Sequence, residues 1–117
     1  MVLQVNEQVI NTDEEGFLLN PRDWSEEVAE AIAKQEGYEL KDDHIGLVDY
    51  FREYWDEHAT HPTMHIIAKE IGHRLGVTFH DHKACVTHLY QIFPNEPIAE
   101  LCKLSGLPKP LPSEREG

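Results

Sequence analysis

The chain opens on a two-residue alternation. In VLQV (2–5), Leu3 and Val5 fall on one side and Val2 and Gln4 on the other, as in a half-buried strand. Asn6-Glu7 can turn the backbone and QVI (8–10) can return it, which predicts a small N-terminal β-hairpin. NTDEEGFLLN then sets turn residues around Gly16 before a short apolar run, Phe17 to Leu19. Beyond it the period lengthens to that of a helix. In NPRDWSEEVAEAIAKQEG, Asn20 reads as an N-cap with Pro21 at the first helical position. Trp24, Val28, Ala31 and Ile32 share one face, and Gly37 can end the helix.

Three further apolar stripes and a short one follow. A second helix starts near Asp42 or Asp43 with Ile45, Val48, Phe51 and Trp55 as its seam and Asp49, Arg52, Glu53 and Asp56 mostly facing away. Thr60 or His61 before Pro62 marks a break. A third carries Met64, Ile67, Ala68, Ile71 and Leu75 and is stopped by Gly76. After VTFH, Asp81 can cap a fourth, with Cys85, Leu89, Ile92 and Phe93 on its face and Pro94 at its end. Asn95-Glu96-Pro97 opens a fifth through Ser105, with Gly106 as the residue after its C-cap. The pattern predicts a mainly α domain of about five helices behind a small β-hairpin.

At 117 residues, with 40% apolar and 27% charged residues, the chain suits one globular domain over 1–117. No apolar run approaches the ~20 residues of a membrane span. MVLQVNEQVI has neither a basic start nor a long apolar core, so no secretory signal is expected and the predicted location is cytoplasmic. Twenty-two acids against ten bases give a net charge of −12. A sequence-neutral DNA binder needs a basic stripe, and none is visible; an acidic surface favours basic patches on protein partners. The two cysteines are expected to be thiols.

Little else in the chain carries chemistry. Cys85 shares a face with Leu89, Ile92 and Phe93 and reads as a core thiol. Cys102 lies in the last turns of the fifth helix, where the negative end of the dipole disfavours a thiolate unless Lys103 or Lys109 offsets it. A Cys85–Cys102 disulfide depends on a Cα separation that sequence does not supply. Eight histidines, including His58, His61 and His65 around Pro62 and His80 and His82 flanking Asp81, lack a metal-binding spacing and read as solvated; no metal and no cofactor is expected. Asp42, Asp43, Glu53, Asp56 and Glu57 read as a solvated helix face, and Lys69, Arg74 and Lys83 as scattered bases.

LYQIFPNEP (89–97) followed by LCKLSGLPKP (101–110) resembles the C-terminal signature of the TusE/DsrC/DsvC sulfur-relay family, which includes the gamma subunit of dissimilatory sulfite reductase. EEGFLLNPRDWSEEVAEAIAKQEG and HPTMHIIAKEIG resemble the family's first and third helix regions, so the likeness runs nearly the whole chain in order. It implies orthogonally packed, helix-turn-helix-like helices and an extended C-terminal arm, here 106–117, that enters partners such as sulfite reductase or upstream relay proteins. It also implies a penultimate cysteine that carries sulfur and, in some members, a second cysteine upstream that can pair with it. The upstream position matches Cys102, whereas the penultimate one falls on Ser113, preceded by Pro112 where a Gly is usual and followed by Glu114 to Gly117. A serine hydroxyl cannot carry a sulfane sulfur. The expectation is therefore a protein that docks on sulfur-metabolism partners through Gly106, Leu107, Pro108, Lys109, Pro110 and Ser113. It would be either regulatory or reliant on Cys102 as its sole sulfur acceptor. A helix-turn-helix DNA-binding regulator is the alternative, against which the charge speaks.

Overall fold

The computed structural model describes residues 1–75 and 82–111. Two antiparallel strands, β1 (Val2–Val5) and β2 (Gln8–Asn11), form the predicted hairpin, with Leu3 opposite Ile10 and Val5 opposite Gln8. Asn6 takes the positive φ (55°) that the tight turn requires, a conformation Asn tolerates better than most residues. Leu3, Val5 and Ile10 are buried, while Val2 and Val9 stay exposed.

Five α-helices follow: α1 (Glu26–Gln35), α2 (Asp42–His58), α3 (Met64–Leu75), α4 (His82–Ile92) and α5 (Pro97–Leu104). The first begins later than Asn20 and Pro21 suggest. Those two residues instead start a single 3-10 turn, Pro21–Asp23, in which the Asn20 side chain accepts from Arg22 N–H. Ser25 then caps α1 by accepting from Val28 N–H. Trp24 thus sits between two caps rather than on a helix face. Gly37, at φ +96°, follows the C-cap as expected.

The seam of α2 is also rotated from the expected one. Leu47, Val48, Tyr50 and Phe51 are buried, whereas Ile45 is 40% exposed and Trp55 half-buried. Ile45 lies in the first turn and lines a shallow surface pocket with Trp24, Leu40, Val48 and Ala29 of α1. Arg52 does not face away; it turns inward, as described below. On α3, Met64, Ile67 and Ile71 are buried, as are Cys85 and Leu89 on α4 and Phe93 just after it. The stop expected at Gly76 and the cap expected at Asp81 lie outside the described residues, as do His80 and Ser113.

Helix α5 joins these layers. It packs against α1, α2 and α4, α3 packs between α2 and α4, and α1 carries β1 on its other side. Pro97, Ile98, Ala99, Leu101, Cys102 and Leu104 of α5 are all buried. Such burial on every side makes α5 the spine of the domain, with Glu100 and Lys103 at its one wet edge. Among the described residues no helix is long and apolar enough to cross a membrane.

Candidate functional site at the root of the C-terminal tail

The last carbonyls of a helix have no intrahelical donors, and at α5 the partner of each can be traced. Ser105 N–H returns to Leu101 O at 3.0 Å, closing the last α-helical bond. Gly106 N–H reaches Lys103 O at 3.2 Å and Leu107 N–H reaches Cys102 O at 2.9 Å. Those two bonds, with Gly106 at φ +70°, make a Schellman cap whose closing apolar residue is Leu107, 3% exposed. The next two carbonyls are taken by side chains from far away in sequence. Trp24 Nε1 donates to Leu104 O at 2.7 Å, and an Arg52 guanidinium N–H donates to Ser105 O at 2.7 Å. The guanidinium carbon lies 3.9 Å from the Trp24 ring centroid, so cation and ring also stack.

Cys102 lies inside this closure. It is fully buried and carries its sulfur as a thiol rather than in a disulfide, as does buried Cys85 on α4. At 0% exposure the sulfur is shielded from solvent and from an incoming persulfide, which disfavours a thiolate there. The two lysines that sequence offered as compensating charges are engaged elsewhere. Lys103 Nζ sits 2.6 Å from Glu36 Oε1 and 3.8 Å from Glu100 Oε1, and Lys109 pairs with Glu15. Ser105, the C-cap residue, is also fully buried, and among the described residues its Oγ has no hydrogen-bond partner.

The tail therefore starts pinned to the domain. Gly106, Leu107 and Pro110 are buried, and Pro108 and Lys109 are exposed. The Lys109 pair ties this stretch to the loop after the hairpin, which Asp13 organises by accepting from Glu15 N–H and Phe17 N–H, each at 2.9 Å.

Beside the tail root lies a cavity of about 480 Å³ whose walls come from four segments. Phe17 and Phe93 are buried aromatic residues of its lining, and Tyr38, His44, Glu36, Glu100 and Lys103 supply polar groups. Tyr38 Oη donates to Glu100 Oε2 at 2.7 Å. Burial, with the Glu36 side chain close by, lifts the Glu100 carboxyl to about 7. Burial also raises the Tyr38 hydroxyl, reinforced by Glu100. His44 Nδ1 accepts from Lys41 N–H at 2.9 Å, which leaves the proton of the neutral ring on Nε2. Burial holds its pKa below the ordinary value, and the ring packs edge-on to Phe93 at 5.2 Å between centroids.

The histidines are not uniformly solvated. His61 is 8% exposed, with Nδ1 2.9 Å from Pro62 O, because Pro62 directs the chain inward between α2 and α3. His58 and His65 do lie at the surface. Among the described residues no three His, Cys, Asp or Glu side chains converge as metal ligands. The acidic face of α2 is exposed at Asp42, Asp43, Glu53, Asp56 and Glu57, and Lys69 and Lys83 are exposed singly.

Trp24, Arg52 and the Glu36–Tyr38–Glu100 group escape sequence reasoning because their partners lie 53 to 80 residues away or across a cavity. The local hint was an Arg one residue past a buried Phe and a Trp just ahead of a Ser cap.

This architecture is shared with known proteins. A structure of DsrC from Allochromatium vinosum superposes with a TM-score of 0.79 at 34% identity, covering 95% of this chain and 97% of the other. The oxidized gamma subunit of dissimilatory sulfite reductase (DsrC) from Archaeoglobus fulgidus does so at 0.78 and 30% identity, with the same coverage. In sequence, the sulfurtransferase TusE of Yersinia pestis is 34% identical over 110 residues, covering 94% of this chain and 97% of the relative. The TusE of Photorhabdus laumondii is 36% identical over 112 residues, covering 95% and 97%. The model of the family described as DsrC like protein matches residues 4–112, from within the hairpin to just past Pro110, and the chain belongs to that family.

Proposed function

We propose that the protein is a cytoplasmic sulfur-relay component that docks on sulfur-metabolism partners through residues 106–117, with Cys102 as its only candidate sulfur carrier. Membership of the DsrC-like family along nearly the whole chain carries this reading. Ser113 stands where the family resemblance places the carrier cysteine, so the thiol chemistry falls to Cys102 or is absent. Its complete burial favours a resting form that binds without reacting. The relatives support a sulfur-relay protein or a sulfite-reductase-type enzyme as the partner. A DNA-binding role finds no support in the relatives or in the charge.

The step open to Cys102 is transpersulfidation. The Cys102 thiolate attacks the outer sulfur of a donor persulfide, forming Cys102–S–SH and releasing the donor thiolate. An acceptor thiolate then attacks that outer sulfur and returns Cys102 as a thiolate, with no net oxidation. The test is intact-protein mass after exposure to a persulfide donor. An added sulfur that disappears in Cys102→Ala and survives in Cys85→Ala supports the carrier. No adduct, or one confined to Cys85, removes the carrier and leaves a docking protein that regulates.

A further inference from the structure

We propose that Trp24 and Arg52 form a latch that sets how often Cys102 becomes accessible, so that they regulate sulfur loading without touching the sulfur. The proposal rests on Cys102 being the thiol of interest, and its test separates the latch from the carrier chemistry.

The latch follows from the bonding at the end of α5. Leu107, the closing residue of the Schellman cap, bonds through its N–H to the carbonyl of Cys102 itself. Lifting residues 105–107 therefore breaks the bond at the cysteine and unseats a buried Leu next to it in the cap. Two side chains from elsewhere in the chain hold the end of α5 and the residue after it in place. Trp24, between its two caps, takes Leu104 O; Arg52, in the middle of α2, takes Ser105 O. The stack of Arg52 on Trp24 couples the two, so loss of one loosens the other. Gly106 fits beneath Trp24 only because it lacks a side chain: a Cβ there would lie 2.7 Å from Trp24 Cδ1.

The position also matches a control point. The pinned carbonyls belong to the last residue of α5 and its C-cap, immediately before the segment proposed to engage partners. A partner that draws the tail away, or offers Arg52 a carboxylate in place of a carbonyl, opens the cap where the thiol lies. Access to Cys102 then becomes conditional on docking, which suits a thiol that must meet a donor persulfide and avoid oxidation at other times.

The experiment measures alkylation of the two cysteines by iodoacetamide, followed by mass spectrometry, in the full-length protein. Cys85, buried on a different helix (α4), serves as the internal control. Arg52→Gln and Trp24→Phe each remove one bond to the cap while keeping bulk. Each is expected to raise the labelling rate of Cys102 roughly five- to tenfold, the change one hydrogen bond makes in an opening equilibrium, with Cys85 unchanged. Arg52→Lys, which keeps the cation but not the planar stack, should fall between. Exchange of the Leu107 amide should accelerate in parallel with Cys102 labelling. Unchanged Cys102 labelling in both variants overturns the latch, and so does an equal rise at Cys85, which signals general loosening. Iodoacetamide needs no sulfur donor, so faster labelling with no persulfide adduct keeps the latch and rejects Cys102 as carrier.

Discussion

Gly106 meets two demands that no other residue satisfies together. Its φ of +70° belongs to the left-handed region, and its Cα faces Trp24 so closely that a Cβ would lie 2.7–2.9 Å from three atoms of that side chain. Trp24 cannot retreat without giving up its bond to Leu104 O. Gly106→Ala should therefore cost about 2–4 kcal/mol, more than backbone strain alone, and thermal unfolding monitored by circular dichroism checks it. A loss within about 0.5 kcal/mol would show that Trp24 yields freely. Gly37 provides the comparison: it too has a positive φ (+96°), but nothing lies within 4 Å of a Cβ there, so Gly37→Ala should cost only the strain, about 1 kcal/mol. The need for a Gly at 106 could be read from the helix ending before it. The packing against Trp24 could not, because a contact spanning 82 positions leaves no local period.

At the scale of elements, the end of α1 is joined to α5 by a cluster in which Glu100 is the variable part. Its carboxyl, lifted by burial from 4.5 to about 7, stays protonated in the fold at pH values where the unfolded chain has released the proton. The stability this group contributes is thus fully present below the unfolded value and lost as pH rises through about 7. Lys103, paired with Glu36 and near Glu100, partly offsets that loss. In Glu100→Gln the side chain is neutral at every pH and can still accept from Tyr38. The stability of the variant relative to wild type should rise across this window, by on the order of 1–2 kcal/mol once partial exposure is allowed for. Paired denaturant titrations below and above the window measure it, and a constant difference would place Glu100 in ordinary solvent. The elements themselves were legible wherever a period and a punctuation residue agreed: the hairpin, the Pro62 break, and α5 between Pro97 and Gly106. They were misread where two signals competed. Asn20-Pro21 looked like the stronger cap, yet three residues exhaust the 3-10 turn and Ser25 begins the helix. On α2 an apolar Ile45 could be fitted to the stripe, but burial runs through Leu47, Val48, Tyr50 and Phe51 and leaves Ile45 40% exposed.

The whole molecule carries a net charge of −12, and its structure deepens the imbalance toward any anionic partner. Arg52, Lys103 and Lys109, three of the ten bases, are committed to contacts within the protein. Asp42, Asp43, Asp49, Glu53, Asp56 and Glu57 make α2 a run of exposed acids. A surface of this kind repels nucleic acid and is drawn to basic protein surfaces over about a Debye length. Docking on a sulfur-relay partner should then be steered electrostatically. Its association rate should fall several-fold as salt is raised from about 50 mM to about 500 mM, with a smaller change in dissociation, since short-range contacts in a formed complex are less sensitive to screening than long-range steering. Stopped-flow or surface-based kinetics with a purified sulfur-relay partner or sulfite-reductase-type enzyme would show it. An association rate independent of salt would mean that the tail alone finds the partner and that the acidic body contributes solubility only. The same titration with duplex DNA at the low-salt end should give no complex; a complex there would require a basic face.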